Sequence, residues 1–313
     1  MTKLWTLSSL LAITACSACG ARTGDLMILD EPSVDAGATL DAHVLDASLP
    51  PPTVDAGAPS LCSGKSCDDH LACTIDRCNE ATGQCDHQHD DSSCPAGFLC
   101  TATGCEAVAY ANTETTIFEV TLPSGAERVL ATTQLTVYDI ALANDGLLYG
   151  VNNTQDFTID RSTGTTHVID VYNGGIFDAL EAAADGTLFA AGPTSVVRLV
   201  RNSKGLDATL IVNYPPPSTS SGDLALVAGE LYGTTTDDFG AAMPDNLFHI
   251  DVVHRTVTKV GSIGFRCVRG LAAFGAALFG FTCEGRVLEI DVRSGAATEL
   301  HRNSSNYAGA AAR

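Results

Sequence analysis

The sequence predicts an all-β protein, a ring of five four-stranded blades preceded by a small disulfide-rich module and a disordered stalk. Three observations carry this reading. A unit of about forty residues recurs from residue 107 onward, and a period of that length made only of strands is the mark of a β-propeller. The units carry turn signals at matching places. Finally, the first unit lacks its opening strand, whereas the C-terminus supplies one strand too many.

The chain opens with MTKLWTLSSLLAITAC, one early Lys followed by a short apolar run and small residues. That run is too short to span a bilayer and fits an export signal over residues 1–15. Ile13-Thr14-Ala15-Cys16 resembles the lipobox of bacterial lipoproteins, which implies lipid attachment at Cys16, with Cys19 as the alternative. Ser17, in place of Asp after the modified Cys, implies by the same resemblance an outer-membrane location. Acyl chains contribute about 0.8 kcal/mol per buried methylene, so several of them anchor a protein without a transmembrane helix.

Residues 16–61 then read as a flexible acidic stalk. Val34-Asp35-Ala36-Gly37, Leu40-Asp41-Ala42, Leu45-Asp46-Ala47 and Val54-Asp55-Ala56-Gly57 form a degenerate repeat broken by Pro50-Pro51-Pro52. Such a segment buries too little apolar surface to offset the entropy of ordering. With a formal charge of −20 and no basic stretch, the chain is unsuited to nucleic acid.

Eight cysteines crowd residues 62–105: Cys62, Cys67, Cys73, Cys78, Cys85, Cys94, Cys100 and Cys105. No two of them are spaced as C-x-x-C, which disfavours zinc and favours disulfides in an oxidising compartment. Their connectivity stays open among 105 pairings. Cys67-Asp68-Asp69, Cys73-Thr74, Asp76, Cys78 and Thr82-Gly83-Gln84-Cys85 resemble short cysteine-rich repeats of surface proteins from gliding soil bacteria. The resemblance implies an extracellular spacer or interaction module. His87, His89, Asp90 and Asp91 form the one metal-like run, and Asp68, Asp69 and Asp76 are a second, weaker set.

Residues 106–313 hold the blades. Asp139–Ile169 shows the pattern best: an apolar strand, the turn Asn144-Asp145-Gly146, and a strand ending at Tyr149-Gly150. Then come Phe157-Thr158-Ile159-Asp160, the turn Ser162-Thr163-Gly164 and a last strand. Tyr110, Tyr149, Phe189, Tyr232 and Phe279 mark the second strands. Ser124-Gly125, Thr163-Gly164, Lys204-Gly205 and Ser294-Gly295 mark hairpins after the third, and Val253-His254-Arg255 stands at that place in the fourth unit. The C-terminal strand, Asn306–Arg313, fits the vacancy beside Ala107–Asn112 and would close the ring, leaving no open sheet edge. The rival is a piece of a larger propeller. Cys267 and Cys283 lie symmetrically about Gly275 and should join across one hairpin.

Aligning the opening strands places Asp139, Asp178, Asp223, Arg269 and Ala308 together at the channel mouth. Asp156, Asp237 and Asp238 fall in loops of the same face, whereas Asp145 and Asp185 sit in turns on the opposite one. Three carboxylates and an Arg at one mouth would bind a cation, a polar ligand or a basic peptide. The Ser-rich run Ser218–Ser221 reads as loop. The repeat A-x-x-D-G-x-L-Y/F followed by L-F-x-I-D-x-x-x-G resembles the broad group of NHL-type, gluconolactonase-like and quinoprotein-like propellers. A gluconolactonase-like enzyme implies an acidic metal site, with calcium as the ion, but in six blades. No G-x-S-x-G and no tryptophan docking motif occurs.

The reading that follows is a monomeric, non-enzymatic lipoprotein outside the cytoplasm that presents a propeller for binding or scaffolding. It would be anchored to the outer membrane, with an extracellular or periplasmic protein or a small polar ligand as partner. The alternative is a calcium-dependent hydrolase or lactonase working at the acidic channel mouth.

Overall fold

The computed structural model describes residues 60–171, 176–202, 205–237 and 243–312. The expected signal peptide, Cys16, Cys19, nearly all of the stalk and Asp238 lie outside them.

The module starts with a hairpin of β1 (Thr74–Cys78) and β2 (Cys85–His89), followed by the short β3 (Leu99–Thr101). Four disulfides hold it: Cys62–Cys78, Cys67–Cys85, Cys73–Cys100 and Cys94–Cys105. Each bridge contributes roughly 2–4 kcal/mol, which a module this poor in large apolar residues needs. With the fifth bridge, Cys267–Cys283, they indicate an oxidising, extracytoplasmic setting. No helix among the described residues is long and apolar enough to cross a membrane.

Five four-stranded antiparallel blades follow. β4 (Gly104–Asn112), β5 (Thr116–Leu122) and β6 (Glu127–Thr132) form most of the first. The second is β7 (Asp139–Leu142), β8 (Leu148–Val151), β9 (Gln155–Ile159) and β10 (Thr166–Val171). The third is β11 (Ala179–Ala182), β12 (Leu188–Ala191), β13 (Ser195–Asn202) and β14 (Gly205–Asn213). The fourth is β15 (Thr219–Val227), β16 (Glu230–Thr236), β17 (Asn246–Asp251) and β18 (Thr256–Ser262). The fifth is β19 (Val268–Phe274), β20 (Ala277–Thr282), β21 (Arg286–Ile290) and β22 (Ala297–Arg302).

The ring closes as the sequence predicts. β23 (Gly309–Ala312) pairs antiparallel with β4, Gly309 opposite Asn112 and Ala312 opposite Ala109, and becomes the inner strand of the first blade. Side chains lock the join. Tyr307 is buried edge-on against Phe118 and Phe281, and its hydroxyl donates to Glu127 and accepts from Asn303. Asn303 also donates to the Gly125 carbonyl, and Ser305 to Glu127.

The core is divided rather than central. Apolar side chains collect between successive blades, for example Tyr110, Ile140 and Phe157 between the first two, and Phe274, Phe281 and Tyr307 between the last and the first. Each blade buries both faces of its inner strands, so β8 and β12 are buried at every position, while outer strands such as β22 carry mostly exposed ones. All five outer strands meet their neighbour with a register shift, near Phe118, Val168, Val197, Phe248 and Leu288. A bulge repeated at that edge twists it away from pairing with another chain.

The module runs directly into the first blade. β4 pairs with β3 at its start and with β5 and β23 further on, so the expected boundary at residues 105 and 106 falls inside one continuous strand. Phe98 seats against Phe274 and Phe279, with ring centroids 5.9 and 6.2 Å away, and Gly97 lies over Phe274. Replacing Phe98 with alanine should cost about 2 kcal/mol, since the ring is only half-buried. Hydrogen exchange should then rise in the β19–β20 hairpin and in β3, while β7 and β11 keep their protection.

Candidate functional site

The inner strands can be placed rung by rung. The residue after each marker aromatic, Ala111, Gly150, Ala190, Gly233 or Gly280, pairs with Ala310, Ile140, Leu180, Leu224 or Leu271. One step towards the strand start lie Gly309, Asp139, Ala179, Asp223 and Gly270. A second step gives Ala308, Tyr138, Asp178, Gly222 and Arg269. The tyrosine and Asp178 correspond directly, because each backbone N–H bonds the last carbonyl of its partner strand, Val151 or Ala191. The expected mouth set therefore combines two layers. Asp178, Arg269 and Ala308 belong to the outer one, and Asp139 and Asp223 to the one beneath. A slip of one residue in a strand moves a side chain to the other face.

The lower layer is closed. Asp139 and Asp223 are 0% and 1% exposed. Ala179, Gly270 and Gly309 fill the rest of that layer, and their small size lets the two carboxyls meet across the axis. Burial raises both acids well above the usual carboxylate range. Their oxygens accept amides of the inner strands. Asp139 accepts the Leu180 amide at 2.6 Å, and Asp223 accepts those of Leu271 and Leu224. Glu181 does the same one rung lower, accepting the Leu226 amide at 3.2 Å. It is half-buried by surface, yet so surrounded by protein that burial pushes its carboxyl to about 8. These carboxyls satisfy amides that no strand can pair.

The outer layer is open. Tyr138, Asp178, Gly222, Arg269 and Ala308 all line one cavity of about 750 Å³, together with Ser220, Ser221 and Asp245. Asp178 Oδ1 has no hydrogen-bond partner, and neither has the Ser220 hydroxyl, which is 1% exposed. Burial raises the Asp178 carboxyl to about 6, opposed by the nearby Ser220 hydroxyl and the Arg269 charge. Asp245 accepts from the Ser221 hydroxyl at 2.6 Å and the Val268 amide at 2.7 Å, and burial raises it too. Arg269 is exposed and, among the described residues, makes no hydrogen bond or ion pair. Arg266 is paired with Glu284 at the rim, where the Cys267–Cys283 bridge also lies.

The loop residues expected at this face serve the scaffold. Asp156 is buried on β9, opposite Val151. Asp237 accepts from Ser218, Asn246 and Lys259, which lowers its acid below the usual range. Ser220 and Ser221, read as loop, belong to β15, where a register shift and the left-handed Gly222 (φ 136°) turn them into the cavity. Asp145 and Asp185 cap their turns through the Leu147 and Thr187 amides.

A calcium ion in the channel is not supported by the donor set. Calcium takes six to eight oxygens, but Asp139 and Asp223 are engaged with one another and with amides, and Asp178 stands one layer above. The metal-like run in the module is also rearranged. His87 turns to Asp76 at 2.8 Å and Asp69 at 3.4 Å, while Asp90 caps the turn at Asp91–Ser93. Asp69, Asp76 and His87 bring three donor atoms within 4.8 Å of one another, but on an exposed surface and already bonded among themselves.

No protein-family model matches the sequence, and no curated protein does. A solved structure from work on the de novo evolutionary emergence of a symmetrical protein is similar over 65% of this chain and 93% of its own. The identity is 17% and the TM-score 0.44.

Proposed function

We propose that this protein works outside the cytoplasm as a binding protein, taking a small polar ligand at the channel mouth and not transforming it. The observation that carries this is the open cavity above a sealed channel. Its volume suits a small ligand, and it is lined by Asp178 and Ser220, whose Oδ1 and Oγ lie buried at its wall without partners in the protein. Buried polar groups without partners are costly, and a ligand that satisfies them recovers that cost on binding.

Catalysis has less support. Ser221 donates straight to Asp245, and no histidine among the described residues lines the cavity to take its proton. Lipid attachment at Cys16, or Cys19, with the stalk as tether, is part of the same proposal. It would hold the mouth away from the outer membrane for a soluble ligand or a partner protein. Radiolabelled palmitate incorporation, lost in Cys16→Ala, is the expected result for that anchor.

The mouth itself is tested by filling it. Ala308→Trp should occupy the cavity while leaving β23 paired. A chemically mixed small-molecule set, screened by thermal shift on the full chain, should give stabilisers of the wild type that fail on this variant. Stabilisers that act equally on both would place binding elsewhere.

A further inference from the structure

The mouth presents two side chains of opposite charge that no ion pair among the described residues joins. Asp178 offers a carboxylate whose Oδ1 is buried without a hydrogen-bond partner, with the Ser220 hydroxyl beside it. Arg269, on β19, offers a guanidinium with no acceptor among the described residues, although both side chains line the same cavity. Gly222, on the intervening inner strand, supplies no side chain to bridge them. Its backbone packs against Arg269 instead, where an added Cβ would lie 3.4 Å from that residue. Of the cavity's other acids, Glu284 is engaged by Arg266 and Asp245 by Ser221 and the Val268 amide, while Glu114 lines it as an exposed side chain. Two large apolar side chains, Ile176 (49% exposed) and Met243 (56% exposed), also line the cavity.

Resting on the proposal that the mouth binds a small ligand, we infer that the ligand class is zwitterionic. It carries an ammonium for Asp178 and Ser220, a carboxylate for Arg269 and an aliphatic body for Ile176 and Met243. A free aliphatic amino acid or a short peptide has that chemistry. A simple amine would leave Arg269 unanswered, and a simple carboxylate would leave Asp178 unanswered. Guanidinium pairs with carboxylate in a bidentate fork, which gives the ligand a fixed direction in the mouth.

Calorimetric titration of the full chain with leucine, leucine amide, N-acetyl-leucine and leucyl-leucine tests this. Leucine or leucyl-leucine should bind, and the tighter of the two identifies the free amino acid or the peptide as the source. Leucine amide and N-acetyl-leucine should each bind roughly tenfold or more weakly than the zwitterion, the loss of one charge-assisted hydrogen bond. Asp178→Asn should abolish the preference over N-acetyl-leucine, and Arg269→Gln the preference over leucine amide, with both variants keeping the wild-type melting transition. Equal affinity for leucine and either blocked form would overturn the inference. If this series does not bind but other molecules are lost in Ala308→Trp, the ligand class is wrong and the binding mouth stands. If nothing binds in either experiment, both proposals fall.

Discussion

Replacing Gly309 with alanine should lower the melting temperature by roughly 6–12 °C and release the C-terminal strand. A Cβ at that position would lie 2.7 Å from the Asp139 Cα and 2.8 Å from Asn112 Oδ1, and closer still to Asp139 Oδ1. Backbone cannot yield there, because Asp139 belongs to β7 of the next blade and Asn112 pairs with Gly309 in β4. Overpacking of this kind costs about 3 kcal/mol, and each kcal/mol moves the melting point of a domain this size by roughly 2–4 °C. Circular dichroism gives the melting point, and hydrogen exchange over residues 309–312 shows whether the strand has left. An unchanged melting point would mean that the ring does not depend on this contact.

The second large effect is on pH dependence. Glu181 has its carboxyl raised from 4.5 to about 8, and Asp139 and Asp223 are raised as well, all chiefly by burial. Between the unfolded and folded values the native chain holds more protons than the unfolded one, so stability falls as pH rises. The contribution of Glu181 is fully present below pH 4.5 and is lost as pH climbs through about 8. It amounts to roughly 5 kcal/mol as an upper bound, from 1.36 kcal/mol per unit. Glu181→Gln keeps an amide oxygen for Leu226 and removes the titration. Urea unfolding at pH 5, 7 and 9 should therefore show a steep decline in the wild type and a shallower one in the variant. Parallel declines would mean that Glu181 is ionised and solvated in the folded state.

The blades were legible in the sequence because each repeats the same physical demands. The aromatic beside each inner strand fills a wedge between blades, and the Asp–Gly turns cap hairpins, as Asp145 and Asp185 do through the Leu147 and Thr187 amides. The Cys267–Cys283 bridge was legible too, since hairpin symmetry fixes it. The site was less so. Asp139 and Asp178 both precede an apolar pair at the start of an inner strand, and only the pairing of Tyr138 with Val151 and Asp178 with Ala191 separates their layers. One residue of register decides which is buried and which faces the cavity. Ser220 and Ser221 were hidden because a Ser run before Gly222 looks like loop, although β15 runs through it. Asp245 had a faint signal, as the last acid before a strand start. The module's pairing and the seating of Phe98 depend on contacts between distant residues, which no local pattern records.

The most direct test is a crystal structure of the full chain soaked with leucine. The expected result is ligand density over Gly222, its amine within hydrogen-bond distance of Asp178 Oδ1 and its carboxylate on Arg269, with Asp139 and Asp223 joined beneath it. Asp139 and Asp223 open to the cavity with Asp178 turned into the blade, or ligand bound away from the mouth, would contradict it.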